Sequence, residues 1–203
     1  MNFTEYTGYL FNAINNVNTN EVEKFIELIY QAFLDDKMIF IIGNGGSAAN
    51  ASHFAQDLAK GTRLSLDQEK RIRALSLTDN LPFVSALGND DGYETIFEQQ
   101  LRTFANAGDM LIAISGSGNS LNIIKAVEWA NENDLVTIGI TGFNGGKLRQ
   151  INKHSVHVPL DDMCTSESIH SIIFHYVILE LKEKIKAAIE ENDSKIVNIS
   201  SSK

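Results

Sequence analysis

Residues 38–47 read MIFIIGNGGS, and this stretch decides the fold. It begins with five consecutive apolar residues, which follow Asp35 and Asp36, and it ends in a turn of three glycines, an asparagine and a serine. A short apolar run with polar boundaries is typical of a strand that is covered on both faces, as in a parallel sheet. Because a helical pattern follows at 47–59, the stretch predicts the strand–turn–helix unit of an α/β protein.

The alternation of strand and helix continues along the chain. Apolar runs recur at 72–77, 110–114, 136–140 and 155–158, and further helical patterns lie at 81–104, 119–132 and 165–190. Ahead of the first strand, the segment 3–34 predicts at least one helix and favours two, with a start signal at Thr19 and Asn20. Strands that alternate with helices imply a mostly parallel sheet.

The chain length of 203 residues suits one α/β domain better than two. We therefore expect a single-domain, three-layer α/β/α sandwich around a mostly parallel five-stranded sheet, with extra helices at the N-terminus. The predicted divisions are an N-terminal helical segment at 1–36, the main domain at 37–191 and a frayed tail at 192–203.

The composition is that of an acidic globular protein. Hydrophobic residues make up 43% of the chain, the formal net charge is -9, and the longest basic cluster runs only from Lys70 to Arg73. This charge pattern argues against a nucleic-acid partner. The single cysteine, Cys164, cannot form an internal disulfide, and the first residues lack the layout of a secretory signal, so we expect a cytoplasmic protein. No apolar run approaches the length of about 18 residues that spans a membrane, so we expect no membrane partner.

Two loops rich in glycine and serine carry the chemistry. The first is GNGGS at 43–47 and the second is SGSGNS at 115–120, and each follows a predicted strand and precedes a predicted helix. Backbone N–H groups, hydroxyls and a helix N-terminus converge in such a turn and can surround a phosphate. Neither loop has the dinucleotide pattern G-x-G-x-x-G or the phosphate-loop pattern G-x-x-x-x-G-K-[ST]. Taken singly, such residues most often only cap helices and form turns, but two loops after two strands favour a bound phosphate.

These motifs resemble those of the sugar isomerase (SIS) domain family. The resemblance rests on the two loops, on HFA at 53–55, on GND at 88–90 and on TGFNGGK at 141–147, so it extends over essentially the whole chain. It implies the SIS, flavodoxin-like form of the α/β/α sandwich. It also implies a homotetramer whose sites lie between subunits.

The resemblance further implies a phosphorylated sugar as the ligand. The serines of the two loops would hold the phosphate, and Asn44 and Asp90 would lie near the sugar hydroxyls. The full substrate-binding set predicted in this way is Asn44, Gly45, Gly46, Ser47, Asp90, Ser115, Gly116, Ser117, Ser120 and Glu167.

Two pairs of polar residues have spacings that bring the members of each pair near one helix face. His53 and Asp57 are four residues apart, and Glu167 and His175 are eight apart, which separates the second pair by roughly 80° around a helix axis. Two imidazoles and two carboxylates are well suited to zinc or another divalent ion. Taken one at a time, each histidine could equally be a hydrogen-bonded core residue, and each carboxylate could belong to a solvated helix face.

The remaining histidines are weaker candidates for a metal site. His170 follows Glu167 by three residues and so lies close to the same helix face. His154 and His157 flank a predicted strand, and we expect both at the surface without a role in the chemistry.

The resemblance gives the two pairs a role in catalysis. The matching positions in the relevant members of the family carry His, Glu, Gln and His, bind zinc, and use the Glu as base and the later His as acid. It therefore implies one divalent ion per chain, zinc first, held by His53, Asp57, Glu167 and His175, with Asp57 and His175 as the catalytic pair. Here Asp57 replaces the Glu, which shortens the base by one methylene, and Glu167 replaces the Gln, which adds a carboxylate to the metal set.

The activity implied by the resemblance is an aldose–ketose isomerisation through a cis-enediol. The expected substrate is sedoheptulose 7-phosphate, and the expected product is D-glycero-D-manno-heptose 7-phosphate for surface-polysaccharide synthesis. Two alternatives stay open, namely an isomerase of another phosphosugar and a non-catalytic SIS-domain regulator that binds a sugar phosphate or a partner such as DnaA. The ionisable side chains at all four positions favour an enzyme over a regulator.

Overall fold

Five strands and eight α-helices make up the computed structural model, which describes residues 1–200 and the side chains of residues 1–190. The strands are β1 (Met38–Gly43), β2 (Arg73–Ser76), β3 (Met110–Ser115), β4 (Val136–Thr141) and β5 (His154–His157). The helices are α1 (Phe3–Ile14), α2 (Thr19–Leu34), α3 (Gly46–Gln56), α4 (Leu81–Asp90), α5 (Glu98–Phe104), α6 (Leu121–Glu132), α7 (Leu148–Ile151) and α8 (Met163–Ser200).

The five strands all run parallel, in the order β2-β1-β3-β4-β5. β3 lies in the middle of the sheet, and every one of its residues is buried. Successive residues of a strand point to opposite faces, so the sheet presents apolar side chains on both sides. One side packs against α2, α3 and α8, and the other packs against α4, α5 and α6. The predicted three-layer α/β/α sandwich with a five-stranded parallel sheet is confirmed.

An aromatic cluster joins α3 to α8. The rings of Phe54 and Phe174 stack with their centroids 4.3 Å apart, and Phe25 of α2 packs against these rings at 5.9 and 6.5 Å respectively. All three side chains are buried. Truncation of a buried phenylalanine to alanine typically costs about 3–5 kcal/mol, so this cluster fixes the position of α8 along α3.

The helical pattern at 81–104 is interrupted in the structure. α4 ends at Asp90, a single 3₁₀ turn follows at Tyr93–Thr95, and α5 begins at Glu98. Gly92, between them, has a φ of 96°, a backbone conformation that glycine adopts far more easily than other residues. The structure therefore has two helices where the pattern indicated one.

Two helices precede β1, as the pattern at 3–34 favoured. The side chain of Asn2 caps α1, and that of Asn18 caps α2. The frayed tail predicted at 192–203 lies outside the residues whose side chains the structure describes, and the division between residues 36 and 37 stays a prediction. Among the described residues, no helix combines the length and the apolar composition that a membrane crossing requires.

Two histidines are buried near the carboxyl ends of β4 and β5. Nδ1 of His157 lies 2.9 Å from the hydroxyl of Thr141, and its backbone N–H donates to the carboxylate of Glu21. The expected surface position of His157 is therefore wrong, because α2 covers this end of the sheet. Nε2 of His170 lies 3.2 Å from the carbonyl oxygen of Thr141, and burial lowers the pKa of His170 to about 4.

The stability of the fold should fall in mild acid because of His170. Its pKa in the folded protein lies below the ordinary value of 6.5, so the unfolded chain binds a proton there first as the pH falls. The stability that depends on a neutral His170 is fully present above pH 6.5 and is lost as the pH falls towards 4. We therefore expect His170 to lower the free energy of unfolding by about 2 kcal/mol at pH 5 relative to pH 7. Urea denaturation of the wild type and of His170→Gln at both pH values checks this. An equal loss in both proteins would contradict it.

Candidate active site

The two glycine-rich loops lie side by side at the carboxyl edge of the sheet. The first follows β1 and the second follows β3, and these two strands are neighbours in the sheet. From β1 the chain turns outward to β2, and from β3 it continues to the opposite edge, so the strand order reverses between β1 and β3. In open parallel sheets, ligands bind in the crevice that forms at such a reversal. The loops are therefore at the position where a binding site is expected.

A cavity of about 290 Å³ opens between the two loops. α8 forms its third wall through Met163 and Glu167. Nine of the ten predicted substrate-binding residues line it, and these are Asn44, Gly45, Gly46, Ser47, Ser115, Gly116, Ser117, Ser120 and Glu167. The tenth, Asp90, is not among the lining residues; it is exposed at the end of α4, where its carboxylate accepts a hydrogen bond of 2.7 Å from Asn89.

Both helices that start at the cavity lack a side-chain cap. Gly45 precedes α3 and Ser120 precedes α6, and neither makes a capping hydrogen bond, whereas Asn2 and Asn18 cap the first two helices. The first turns of α3 and α6 also contain no acidic residue. The free N–H groups and the positive end of each helix dipole can therefore act on a ligand in the cavity.

The serines of the second loop are placed to donate hydrogen bonds. The hydroxyl oxygens of Ser115 and Ser117 accept hydrogen bonds from the backbone N–H groups of Gly118 and Asn119, at 3.2 and 3.4 Å. Each hydroxyl hydrogen is then available to a ligand. Two or three O–H groups beside a helix N-terminus form a neutral cradle for an anion.

The second loop is braced by the chain segment that follows β4. Gly118 has a φ of 66°, and a Cβ atom there would lie 2.6 Å from the carbonyl carbon of Gly145. A Cβ atom at Gly146, whose φ is 54°, would lie 2.5 Å from the carbonyl oxygen of Ser117. The two segments therefore touch backbone to backbone, which only glycine permits.

Asn44 is held by neighbours that the sequence analysis missed. Its amide forms two reciprocal hydrogen bonds of 2.9 Å with the amide of Asn122, and its Oδ1 also accepts a hydrogen bond of 3.0 Å from the hydroxyl of Tyr93. Asn122 is buried in α6 among apolar residues. An amide on the apolar side of a helix was the signal that could have identified it. These contacts make Asn44 a brace of the first loop as well as part of the cavity wall.

His53, Asp57 and His175 converge on one point at the seam between α3 and α8. Oδ2 of Asp57 lies 3.3 Å from Nε2 of His53 and 3.8 Å from Nε2 of His175, and one ligand atom from each residue lies within 4.8 Å of the others. The side chains of His53 and His175 are 53% and 57% exposed, so neither is a core histidine. Two imidazole nitrogens and a carboxylate oxygen form the donor set of a catalytic zinc site with an open position. We call these three residues the trio.

Glu167 is not part of the trio. It precedes His175 by eight residues, which is roughly 12 Å along the axis of α8 at about 1.5 Å per residue. Its carboxylate instead accepts a hydrogen bond of 3.3 Å from the hydroxyl of Ser47 at the start of α3. Of the four predicted metal ligands, the structure brings three together and places the fourth in the wall of the cavity between the two loops.

Contacts between α3 and α8 recur at successive turns from the cavity to the trio. Beyond the contact between Ser47 and Glu167, the amide of Asn50 accepts a hydrogen bond of 2.8 Å from the hydroxyl of Ser171. The stacked rings and the trio lie together about one turn further on, since His53 adjoins Phe54 and His175 adjoins Phe174. This series fixes the distance between the cavity and the trio. The sequence analysis missed Asn50 and Ser171, which alone resemble ordinary helix-surface residues.

Comparison of the sequence with known proteins shows the family to which the chain belongs. A family model described as a SIS domain matches residues 2–142. Phosphoheptose isomerase 1 of Campylobacter jejuni is 35% identical over 155 residues, which cover 76% of this chain and 82% of that protein. The phosphoheptose isomerase of Neisseria meningitidis is 38% identical over 152 residues, which cover 73% of this chain and 76% of that protein.

Comparison with solved structures gives the same result. The phosphoheptose isomerase GmhA from Neisseria gonorrhoeae aligns with a TM-score of 0.81 at 30% identity, covering 89% of this chain and 96% of that one. The phosphoheptose isomerase from Francisella tularensis aligns with a TM-score of 0.82 at 25% identity, with the same coverage. The chain belongs to the SIS-domain family. Its relatives place it among the phosphoheptose isomerases of that family.

The substitution Gly118→Ala should disrupt the second loop. The new methyl group meets the backbone of Gly145, and the residue must keep a positive φ, so we expect a loss of at least about 2 kcal/mol of stability and weaker binding of a sugar phosphate. Thermal denaturation and calorimetric titration measure both effects. Gly8→Ala is the control, because Gly8 lies in α1 with nothing near its Cβ position. Equal behaviour of the two variants would contradict the proposed brace.

Proposed function

We propose that this protein is an aldose–ketose isomerase that converts sedoheptulose 7-phosphate into D-glycero-D-manno-heptose 7-phosphate for surface-polysaccharide synthesis. One observation carries the proposal: the cavity lined by the uncharged groups of the two loops and the trio both lie along the seam of α3 and α8. The names and identities of the relatives described above support the same reaction.

In this proposal the sugar phosphate binds with its phosphate at the N-terminus of α6. Ser115, Ser117 and Ser120 surround that end of the cavity, and Ser47 faces them from α3. A phosphate bound there contributes binding energy remote from the reacting carbons and fixes them against the catalytic groups. The sugar chain then extends along the seam between α3 and α8, towards the trio.

The trio would hold one divalent ion per chain, with zinc as the first choice. His53 and His175 offer neutral nitrogen ligands, and Asp57 offers a carboxylate oxygen, which suits zinc and leaves room for substrate oxygens. The chemistry that a bound divalent ion supplies is polarisation of the carbonyl and hydroxyl oxygens of the sugar. The polarised oxygens make the neighbouring C–H proton more acidic.

Asp57 and His175 are the proposed proton-transfer groups. A carboxylate has two oxygens, so Asp57 can serve the metal set with one and accept the C–H proton with the other. The imidazole of His175 can move the proton between the two oxygens of the resulting cis-enediol. A regulator without catalysis is not favoured, because such a protein has no need of the trio.

The trio lies beside an exposed apolar face of α8. Ile172, Tyr176 and Leu179 follow one another at helical spacing on either side of His175, and all three are exposed. We propose that a second copy of the chain covers this face in a homotetramer, so that each site is completed between subunits. A cytoplasmic location also stays a prediction.

Replacement of the proposed base should abolish turnover. Asp57→Asn keeps the size of the side chain but removes the charge, so we expect kcat to fall by about a hundredfold or more and the metal content to fall with it. The conversion of sedoheptulose 7-phosphate by the purified protein, with metal content read on the same samples, measures both. Asp67→Asn, in an exposed loop, is the matched control.

Turnover and metal content of the wild-type protein distinguish the proposed isomerase from an isomerase of another phosphosugar and from a regulator. Turnover of sedoheptulose 7-phosphate supports the proposal. Bound metal without turnover of this substrate would indicate another phosphosugar as the substrate. Absence of both metal and turnover would indicate a regulator.

A charge on the apolar face of α8 should break the oligomer. Leu179→Glu places a carboxylate in the proposed subunit contact, so we expect a lower molecular mass in sedimentation and a lower activity. Leu66→Glu, at an exposed leucine of the loop before β2, should leave the mass unchanged. Sedimentation of the wild type as a monomer would contradict the proposed tetramer.

A further inference from the structure

A second cavity, of about 380 Å³, adjoins the second loop. Among the described residues, Ser117 is the one that lines both this cavity and the cavity between the two loops. The other lining residues are Asn119, Phe143, Asn144 and Asp161. We call this space the outer cavity. Its volume falls within the range of about 300–1,000 Å³ that is typical of small-molecule sites, so it is large enough for a ligand of its own.

Phe143 has an unusual backbone conformation at the outer cavity. Its φ is 47°, in the left-handed region that a bulky side chain rarely adopts. Two backbone hydrogen bonds hold the chain there: the N–H of Phe143 donates to the carbonyl oxygen of Leu160 at 3.0 Å, and the N–H of Gly142 donates to that of Gly116 at 2.9 Å. Strain of this kind occurs most often at ligand and active sites, where the surrounding structure maintains it.

The packing of the protein core does not account for this phenylalanine. Its side chain is half-buried, and within residues 1–190 it belongs to neither of the two apolar clusters that cover the sheet. A residue that served only the turn would be glycine or asparagine, which adopt a positive φ at little cost. The ring is therefore available to pack against the apolar C–H groups of a ligand.

Polar groups of both hydrogen-bonding types surround the ring. The carboxylate of Asp161 is exposed and has no hydrogen-bond or ion-pair partner within residues 1–190. The side chain of Asn144 accepts a hydrogen bond of 3.1 Å from the backbone of Gly146 through Oδ1, which leaves its N–H groups as donors. The hydroxyl of Ser117 is a further donor. The outer cavity thus offers a strong acceptor beside two donors.

These groups select the chemical class of the ligand. The lining residues include a carboxylate and no lysine or arginine, so the outer cavity repels a phosphate. An ammonium group would satisfy Asp161, but it has no acceptor for the donors of Asn144 and Ser117. A sugar hydroxyl both donates and accepts, and a sugar ring also has an apolar C–H face.

We propose that the outer cavity binds a neutral sugar ring, with its C–H face on Phe143 and neighbouring hydroxyls on Asp161 and Asn144. Because Ser117 lines both cavities, the sugar lies beside the cavity between the two loops without entering it. The site is independent of the proposed reaction, since it requires neither the trio nor a free carbonyl group on the sugar. It gives the protein a second carbohydrate contact.

Methyl α-D-mannopyranoside is a suitable probe, because it is uncharged and its methylated anomeric oxygen prevents opening to a carbonyl compound. Saturation-transfer NMR detects its contact with the protein, and titration gives the Kd, which we expect in the millimolar range. In Phe143→Gly and in Asp161→Asn the Kd should rise by about fivefold or more, because the ring or the charged acceptor is lost. Phe104→Ala, at an exposed ring, and Asp67→Asn, at an exposed carboxylate, are the matched controls and should keep the wild-type Kd.

The choice of glycine at position 143 keeps the variant folded. Phe143→Gly and Phe143→Ala both lack the ring, but only glycine relaxes the backbone at a positive φ. We therefore expect the Tm of the glycine variant to exceed that of the alanine variant by about 2–4 °C. A glycine variant that melts no higher would overturn the strained, ligand-facing position assigned to Phe143.

The remaining outcomes decide where and what the outer cavity binds. Binding of the glycoside that is weakened in both variants, and that saturating inorganic phosphate does not displace, supports the inference. Unchanged binding in either variant, or displacement by phosphate, would put the sugar elsewhere and overturn it. Absence of binding would also overturn it, and binding of tetramethylammonium instead would indicate a cation site. None of these measurements needs turnover, so they stand apart from the test of the proposed function.

Discussion

The stacked pair of Phe54 and Phe174 is the contact on which the rest of the site depends. It lies level with the trio, because Phe54 adjoins His53 in α3 and Phe174 adjoins His175 in α8, and it is separated from the contact of Ser47 with Glu167 by about two helical turns. The sheet fixes α3 through the short turn after β1, whereas α8 follows the last strand after a separate loop. Without a specific contact, α8 could slide by a turn, which is about 5.4 Å and enough to separate His175 from Asp57. Close packing of two buried rings removes that freedom.

The two helices that begin at the site lack the side-chain caps that α1 and α2 have, which lowers their own stability. In each of the first two helices an asparagine side chain accepts one N-terminal N–H, whereas Gly45 and Ser120, which precede α3 and α6, make no such bond. An absent cap costs roughly 1 kcal/mol per helix. The cost is partly offset by burial, because Ser47 and Ser115 lie under the loops and β3 is buried throughout. Binding of an anion would restore the missing hydrogen bonds, so the ligand and the fold stabilise one another.

The sequence predicts the scaffold well because the deciding signals are local. Apolar runs followed by glycines give the strands, and a spacing of four residues gives the pairing of His53 with Asp57. The position of Glu167 could not be obtained in this way, since it depends on the register of α8 along α3, which distant residues set. The burial of His157 likewise depends on α2, more than a hundred residues earlier in the chain. The break at Gly92 requires a backbone angle that the apolar pattern of the neighbouring helices does not reveal.

The second loop and the segment after β4 touch backbone to backbone, so the amino acids there cannot change freely, whereas those in other parts of the site can. Gly118 and Gly146 meet the opposite backbone directly, so no side chain can be added at either position without displacing the second loop. The wall formed by α8 consists of the side chains of Met163 and Glu167, which can be exchanged one at a time. A protein built in this way can change the shape of its cavity on the α8 side while the second loop stays as it is. Adaptation to other substrates is therefore directed to α8, where one substitution alters shape or charge without loss of the fold.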